Sequence, residues 1–339
     1  MRVPRSVFEV SPPIPLVGCI AFGLIDRGTN VIQVRPTSLC VLSCVFCSTN
    51  AGPKSKIRQT EYTVPLDYLI EEMDKIVEYK GRHGIEAHID TVGDPFTYPH
   101  LAELVHQLNQ IKGVETVSLQ THGALFNEKI LDELSSAGLT RINLSIDALN
   151  PELARRLTDT DWYDVTRVMK LAEYIVENTR IDLLVAPVWV PGWNDEEIPK
   201  IIRWTIDLGA GKRFPPLGIQ KYEVHKHGRK PKGMRYVSWR DFRRKLEEWE
   251  NLFQTKLRLN REDFGIHKRQ MLPIPYRRFE TIRVKTVAPG WLKHEKLAVA
   301  PNNDRAITLV NAEHIPIGSK IKARILTNKH NIYLAEPLV

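Results

Sequence analysis

The chain has 339 residues, 42% of them hydrophobic, enough for one large catalytic domain and a small additional module. No run of about 18 apolar residues occurs, and the N-terminal Met1-Arg-Val-Pro-Arg-Ser-Val-Phe-Glu-Val lacks a signal-peptide core, so a helical membrane protein is excluded and cytoplasmic residence is expected. The net charge of +8 is unevenly placed: Lys212 to Lys296 holds 23 Lys and Arg against 9 Asp and Glu, leaving 25 basic against 31 acidic residues elsewhere. Basic charge concentrated late in an otherwise near-neutral chain is the footprint of a polyanion-binding segment.

In chain order, Ile20 to Val34 alternates short apolar runs around Asp26-Arg27-Gly28-Thr29-Asn30, which predicts a β-hairpin feeding a first strand that ends near Arg35-Pro36. A cysteine-bearing loop follows, then Pro65–Tyr79 with Leu66, Leu69, Ile70, Met73, Ile76 and Val77 at helical spacing. Strands and helices then alternate. Strands are predicted at His88–Val92, Thr116–Gln120, Arg141–Ile146, Ile181–Val190 and Leu217–Tyr222, and helices at Pro99–Ile111, Glu128–Ala137, Tyr163–Asn178 and Glu196–Leu208. Six strands with helical crossovers imply an α/β chain with a parallel sheet. Beyond it come a basic loop, a helix running to Phe253, and five short strands at Thr281–Val287, Lys296–Ala300, Ala306–Val310, Lys320–Leu326 and Asn331–Glu336, a pattern suited to a small β-barrel. The expected organisation is 1–34 for the extension, hairpin and first strand, 35–222 for the α/β core, 223–278 for the basic loop and helical linker, and 279–339 for the barrel.

The loop after the first strand carries Cys40, Cys44 and Cys47 in a C-x3-C-x2-C run. Three thiolates do not complete a four-coordinate zinc site, but they suit three irons of a [4Fe-4S] cluster with the fourth left open. With Phe46 before the last cysteine, the run resembles the signature of the radical S-adenosylmethionine (SAM) superfamily. The resemblance implies a partial (β/α)6 barrel, a [4Fe-4S] cluster, SAM chelated at the open iron, and cleavage of SAM to a 5′-deoxyadenosyl radical. It also implies a reductant such as ferredoxin or flavodoxin and, because such clusters are oxygen-labile, an anaerobic or microaerobic setting. In barrels of this kind the chemistry sits at the C-terminal strand ends, and there the chain offers further matches. Thr91-Val92-Gly93-Asp94-Pro95 resembles the family's Gly-Gly-Glu-Pro motif, with Val92 in place of the first Gly and Asp94 in place of the Glu. Thr121-His122-Gly123 resembles Thr-Asn-Gly, and Ser145-Ile146-Asp147 a Ser-x-Asp element. Pro191-Gly192-Trp193-Asn194-Asp195 resembles the turn that shapes the adenine pocket, and Gln220 closes the sixth strand. The expected SAM-binding residues are therefore Phe46, Gly93, Asp94, Pro95, Thr121, His122, Ser145, Asp147, Pro191, Asn194 and Gln220.

Cys19 is the only other cysteine. Enzymes of the family that insert sulfur need further thiolates for a second cluster, and dual-cysteine methylases need two, so neither reaction fits. Cys19 is a candidate hydrogen-atom donor or a small buried hydrophobe. The stretch after Gln220 is rich in Lys, His, Gly and Pro without apolar periodicity, as in an exposed loop. Lys221, Lys226, Arg229, Lys230 and Lys232, continued by Arg240, Arg243 and Arg244 on the next helix, are the candidate phosphate contacts. Tyr222, Tyr236 and Trp239 are candidates for base stacking. Gly318-Ser-Lys-Ile-Lys-Ala-Arg-Ile-Leu followed by Asn331-Ile-Tyr-Leu-Ala-Glu-Pro resembles the TRAM module, an OB-like RNA-binding barrel, which implies RNA as partner. The expectation is a radical SAM enzyme that modifies a nucleoside in tRNA or rRNA by hydrogen-atom abstraction, with carbon–nitrogen bond cleavage, rearrangement or redox-neutral editing of a hypermodified base as the reactions that fit the cysteine count. The alternative is an enzyme of a peptide or small metabolite whose barrel docks a protein partner.

Overall fold

The computed structural model describes residues 5–338. Extended residues open the chain as strand β1 (Ser6–Glu9), followed by β2 (Gly23–Asp26) and β3 (Val31–Arg35), which pair antiparallel as the expected hairpin. After the cysteine loop, β4 (Thr60–Thr63) pairs in parallel with β1, a two-stranded sheet that the sequence pattern did not suggest. Helix α1 (Leu66–Tyr79) buries Leu69, Met73, Ile76 and Val77, and four β/α units succeed it. They comprise β5 (Ile85–Ile89) and α2 (Leu101–Gln110); β6 (Val114–Thr121) and α3 (Glu128–Ser136); β7 (Arg141–Leu144), α4 (Pro151–Thr158) and α5 (Val165–Asn178); and β8 (Asp182–Val185), β9 (Val188–Trp189) and α6 (Glu197–Asp207). Asn127, Asn150 and Asp164 cap α3, α4 and α5 by accepting backbone N–H bonds, replacing partners that helix ends lack.

The main sheet has the order β2-β3-β5-β6-β7-β8, parallel except at β2. The expected strand Ile181–Val190 is broken at Pro187, which has no N–H to give to a ladder. The expected sixth strand is reduced in the same place: Leu217 bridges Val185, and β10 (Gln220–Lys221) pairs only with β9. The side of the sheet beyond β8 is covered instead by α7 (Trp239–Phe253), capped by Ser238, and by the segment ending in the 3-10 turn Glu262–Phe264. From there the chain runs back along β2. Asn30 holds the carbonyl of Gly265, Leu272 donates to Asp26, and Lys80 makes a fully buried ion pair with Asp26 at 2.9 Å. The segment expected to be a linker is thus fastened to the core.

Strands β11 (Thr281–Pro289), β12 (Lys296–Val299), β13 (Ala306–Leu309), β14 (Lys320–Thr327) and β15 (Leu334–Leu338) close a small barrel in the order β11-β12-β13-β15-β14, with β13 and β15 parallel. Its last strand starts later than expected because Lys329–Asn331 form a 3-10 turn whose buried Asn331 bonds Arg305, Tyr333 and the carbonyl of Leu272. The barrel has its own core around Tyr276, Ile307, Ile325 and Tyr333, and it shares a second core with the α/β domain through Trp291, Leu297, Val299 and Ala306. The junction is made by backbone. Val17 and Gly18 carbonyls accept from Ala306 and Tyr333 at 2.9 Å each, and the Tyr62 hydroxyl donates to the carbonyl of Pro289 at 2.8 Å. Gly18 has φ 127°, and a Cβ there would lie 2.1 Å from the Ala306 oxygen. Gly18→Ala is therefore expected to cost more than about 1 kcal/mol and to expose the junction to protease, as read by denaturant unfolding and limited proteolysis.

Candidate active site

The parallel strands aim their C-terminal ends at a cavity of about 440 Å³. Cys40, Cys44 and Cys47 line it from the loop after β3 and face Gly93 after β5, His122 after β6 and Ser145 after β7. The loop is held from several directions. Ser43 and Val45 N–H groups donate to Thr158 and Leu157 at the end of α4, and the Ala51 N–H reaches the Cys47 sulfur at 3.2 Å. Arg229 spans the loop, donating to the Cys44 carbonyl at 3.0 Å and the Ala51 carbonyl at 2.6 Å. Beneath lies Arg58, its side chain wholly buried. It donates to the carbonyls of Ser38, Thr49 and Val92 and pairs with Glu61 at 3.0 Å. Its guanidinium sits 4.6 Å from the centre of the Trp291 ring of the small barrel.

Burial pushes the Cys40 thiol up to about 12 and Cys44 well above the ordinary thiol range. The neighbouring sulfurs add to the shift at Cys40 and Cys44, with Arg58 working the other way on Cys40 and Arg229 on Cys44. Thiols so placed become thiolates only with cationic compensation, which metal supplies. Among the described residues no three His, Cys, Asp or Glu side chains converge on a single ion position. Three thiols spread around one cavity instead suit a cluster that brings several irons.

The expected SAM-binding residues fall into two shells. Phe46, Gly93, His122, Ser145 and Gln220 line the cavity. At Gly93 a Cβ would lie 1.9 Å from the Leu39 oxygen, so only glycine lets this turn pack under the cysteine loop. The others stand behind. Asp94, buried, caps the short 3-10 turn Pro95–Thr97 and accepts from Phe96 N–H, Thr121 hydroxyl and His122 N–H. Its carboxylate is thus occupied by protein donors, whereas the sequence placed Asp94 among the SAM-binding residues, and burial raises its pKa. Asp147 accepts from Val188 N–H at 2.7 Å and lies 3.6 Å from His122 Nδ1. Asn194 spends its whole amide on Val190, Asp147 and Val188 backbone, tying β7 to β9. Pro191 sits against Tyr222 and Met234 in a neighbouring pocket. His122 Nδ1–H donates to the Ser145 carbonyl at 3.0 Å, leaving Nε2 to face the Cys44 sulfur at 3.8 Å.

Three expectations are corrected by placement. Cys19 does not reach the cavity: its sulfur lies 4.0 Å from Thr308 of the small barrel, and burial pushes its pKa up to about 11. Arg229 turns inward onto the cysteine loop, its guanidinium spent on the Cys44 and Ala51 carbonyls, and so it is not a free phosphate contact. Lys221 is also drawn in, its side chain buried and paired with Glu223 at 2.8 Å, 5.2 Å from the Trp239 ring centre. Lys226, Lys230, Lys232, Arg240, Arg243 and Arg244 are exposed as expected.

The concave face of the sheet carries polar groups that motif matching missed. Arg35 and Gln33 both donate to Asp90, at 3.1 and 2.5 Å. One step deeper, Ser118 hydroxyl donates to Glu86 at 2.5 Å, Arg141 pairs with Glu86 at 2.6 Å, and His88 Nδ1 contacts Ser118 at 2.7 Å. Since the Ser118 proton goes to Glu86, His88 Nδ1 must be the donor, which leaves Nε2 as an acceptor. The signal in the sequence was period two, with Glu86, His88 and Asp90 alternating with Ile85, Ala87 and Ile89.

A family model described as the radical SAM superfamily matches residues 34–205, half of the chain. The chain belongs to the radical SAM superfamily. An uncharacterized protein of Methanocaldococcus jannaschii is 42% identical over 352 residues, covering 98% of this chain and 81% of that one. A GTP 3′,8-cyclase of Alkaliphilus metalliredigens is 28% identical over 189 residues, 56% of each chain. SuiB of Streptococcus suis, solved with S-adenosylmethionine bound, superimposes with a TM-score of 0.50 at 17% identity, over 67% of this chain and 48% of that one. The chain thus spans about half the length of SuiB and of the cyclase, and the SuiB match is one of fold. Membership of the superfamily assigns the two cofactors, a [4Fe-4S] cluster and SAM. No helix among the described residues is long and apolar enough to cross a membrane.

Two outcomes follow from the geometry. Arg229→Ala is expected to lower the iron and acid-labile sulfide retained on anaerobic purification, whereas Lys226→Ala, three residues away and exposed, leaves both unchanged. Burial holds the His88 pKa below its usual value, so the unfolded chain takes up the proton first as pH falls. Stability contributed by neutral His88 is present above about pH 6.5 and is lost below it. His88→Gln should flatten the fall in unfolding midpoint measured from about pH 7.5 to 5.5.

Proposed function

We propose that the protein modifies a nucleoside within tRNA or rRNA, using Cys40, Cys44 and Cys47 to hold the cluster and the cavity-facing Phe46, Gly93, His122, Ser145 and Gln220 to position SAM. Asp94, Thr121, Asp147 and Asn194 then act through those residues, fixing the turns that carry them, and Pro95 and Pro191 shape the same turns. We read β10 as the remnant sixth strand of a partial (β/α)6 barrel, and the five-stranded module, with its 1-2-3-5-4 order, as an OB-like fold of TRAM type. When bound, the cluster and SAM supply one-electron chemistry able to remove a hydrogen atom from a substrate.

The observation that carries the RNA reading is the segregation of charge. Inside the barrel every cation is matched: Arg35 by Asp90 and Arg141 by Glu86, with Gln33, Gln120 and Asn143 adding neutral amides. Arg35 lines the cavity beside its partner Asp90, whereas Arg141 is covered by the Phe214 and Phe264 rings. A second cavity of about 620 Å³ borders the first at Gln220 and is walled by Trp239, Phe242 and Phe264, room and aromatic surface for a planar ring. Outside, Lys226, Lys230, Lys232, Arg240 and Arg243 are exposed without ion pairs among the described residues. A neutral base inside and a phosphate chain outside is the arrangement this favours.

A second reading, a free nucleotide or another small metabolite as substrate, is favoured by the similarity to enzymes named for their action on GTP. Nucleoside mass spectrometry of total tRNA and rRNA from a strain lacking the gene separates the two. A missing modified nucleoside, with a precursor in its place, is expected, and its mass difference names the reaction. Identical profiles in every RNA class would overturn the RNA reading in favour of a free nucleotide, metabolite or peptide.

A further inference from the structure

The small barrel carries a charge pattern that a structural module does not need. Strands β11 and β14 pair antiparallel with Arg283 opposite Lys322 and Lys285 opposite Lys320. All four side chains are exposed, while the alternating Ile282, Val284, Ala323 and Ile325 enter the barrel core. Like charges directly opposite one another destabilise a sheet. Lysines often guard a free strand edge, but a closed barrel has none here to guard. Arg324, next along β14, is matched by Glu336, whereas the other four have no ion-pair partner among the described residues.

The row ends on an aromatic. Phe279 is 61% exposed, with φ 69°, a left-handed backbone that bulky residues rarely adopt. Its N–H donates to the Ile325 carbonyl at 2.7 Å, which fixes it at the head of the β11–β14 pair. The Arg278 guanidinium lies 4.5 Å from the ring centre. Outward positions recur every ~6.8 Å along a strand, close to one step of an extended sugar–phosphate backbone. A row of cations beside an exposed ring is the combination that holds single strands, the cations following phosphates and the ring stacking a base.

We propose that the outer face of β11 and β14, headed by Phe279, is a binding track for a single-stranded stretch of RNA, separate from the exposed cations at the cavity mouth. It rests on the RNA reading above. The test uses full-length, cluster-loaded protein and fluorescence anisotropy with a labelled single-stranded oligoribonucleotide and with total tRNA, over a range of salt. The variants are Arg283→Ser/Lys285→Ser/Lys320→Ser/Lys322→Ser combined, Lys285→Ser/Lys320→Ser alone, and Phe279→Ala. The combined variant should bind the oligonucleotide at least roughly tenfold more weakly, with the slope of log affinity against log salt smaller by about 3. Its thermal midpoint should be unchanged or raised, because repulsion is relieved, so weak binding with an intact midpoint is not misfolding. If the combined variant does lose its midpoint, the paired variant carries the test. Phe279→Ala should weaken oligonucleotide binding while leaving capture of inorganic polyphosphate unchanged. Wild-type affinity and salt slope in the ladder variants would overturn the track and leave the RNA reading standing. Failure of the wild type to bind either RNA would remove both. Ladder-dependent binding of polyphosphate or anionic vesicles with no effect of Phe279→Ala on RNA would assign the face to another polyanion.

Discussion

The site depends on one buried cation. Arg58 binds the carbonyls of Ser38, Thr49 and Val92, which come from both sides of the cysteine loop and from the turn after β5, and it balances the buried Glu61. Such an ion pair is tolerable only when its remaining hydrogen bonds are satisfied, and the satisfied groups here are the backbone atoms that give the cysteine loop its shape. Because the same guanidinium stacks on Trp291, the loop, the parallel sheet and the small barrel meet at a single side chain. Arg229 repeats the device from the opposite side of the loop.

Around this anchor the polar groups are arranged in tiers. The thiols and the cavity-facing residues lie at the strand ends. Asp94, Asp147 and Asn194 stand one layer back and satisfy main-chain donors and side-chain hydroxyls. From Asp90 at the cavity, His88 and Glu86 step down β5, tied to Ser118 on β6 and, through Glu86, to Arg141 on β7. Parallel sheets of α/β proteins usually bury apolar residues on both faces. Here one face instead carries a ladder of buried polar groups that satisfy one another across the strands.

Sequence alone exposed what repeats or stays local. The three cysteines, the alternation of strands and helices, and the period-two pattern of the small barrel lie within short windows, and the family they resemble is the family to which the chain belongs. Helix α4 was missed: Asn150-Pro151 is a cap followed by a first-turn proline, but the helix is short and lies between the Ser-x-Asp element and α5. Arg58 and Arg229 were not legible, because their partners are mostly backbone carbonyls, and for Arg229 these lie almost two hundred residues away. Asp94 and Asn194 show the other gap: a motif marks the position, but it does not reveal whether the side chain faces the cavity or the chain behind it. The late basic surplus likewise merged groups that folding separates, sending Arg229 and Lys221 inward and Lys226 and Lys230 outward.

The backbone bonds from Val17 and Gly18 to the small barrel, with no space at Gly18 for even a methyl group, have a geometric consequence. A module on a flexible tether raises the local concentration of whatever it holds but leaves the contact point free to wander. Here the barrel is welded to the extension and to the sheet, so its surface and the thiol cavity keep one separation. A long substrate gripped at the barrel would be offered to the cavity at a set span, and the protein would select its target position as a ruler does.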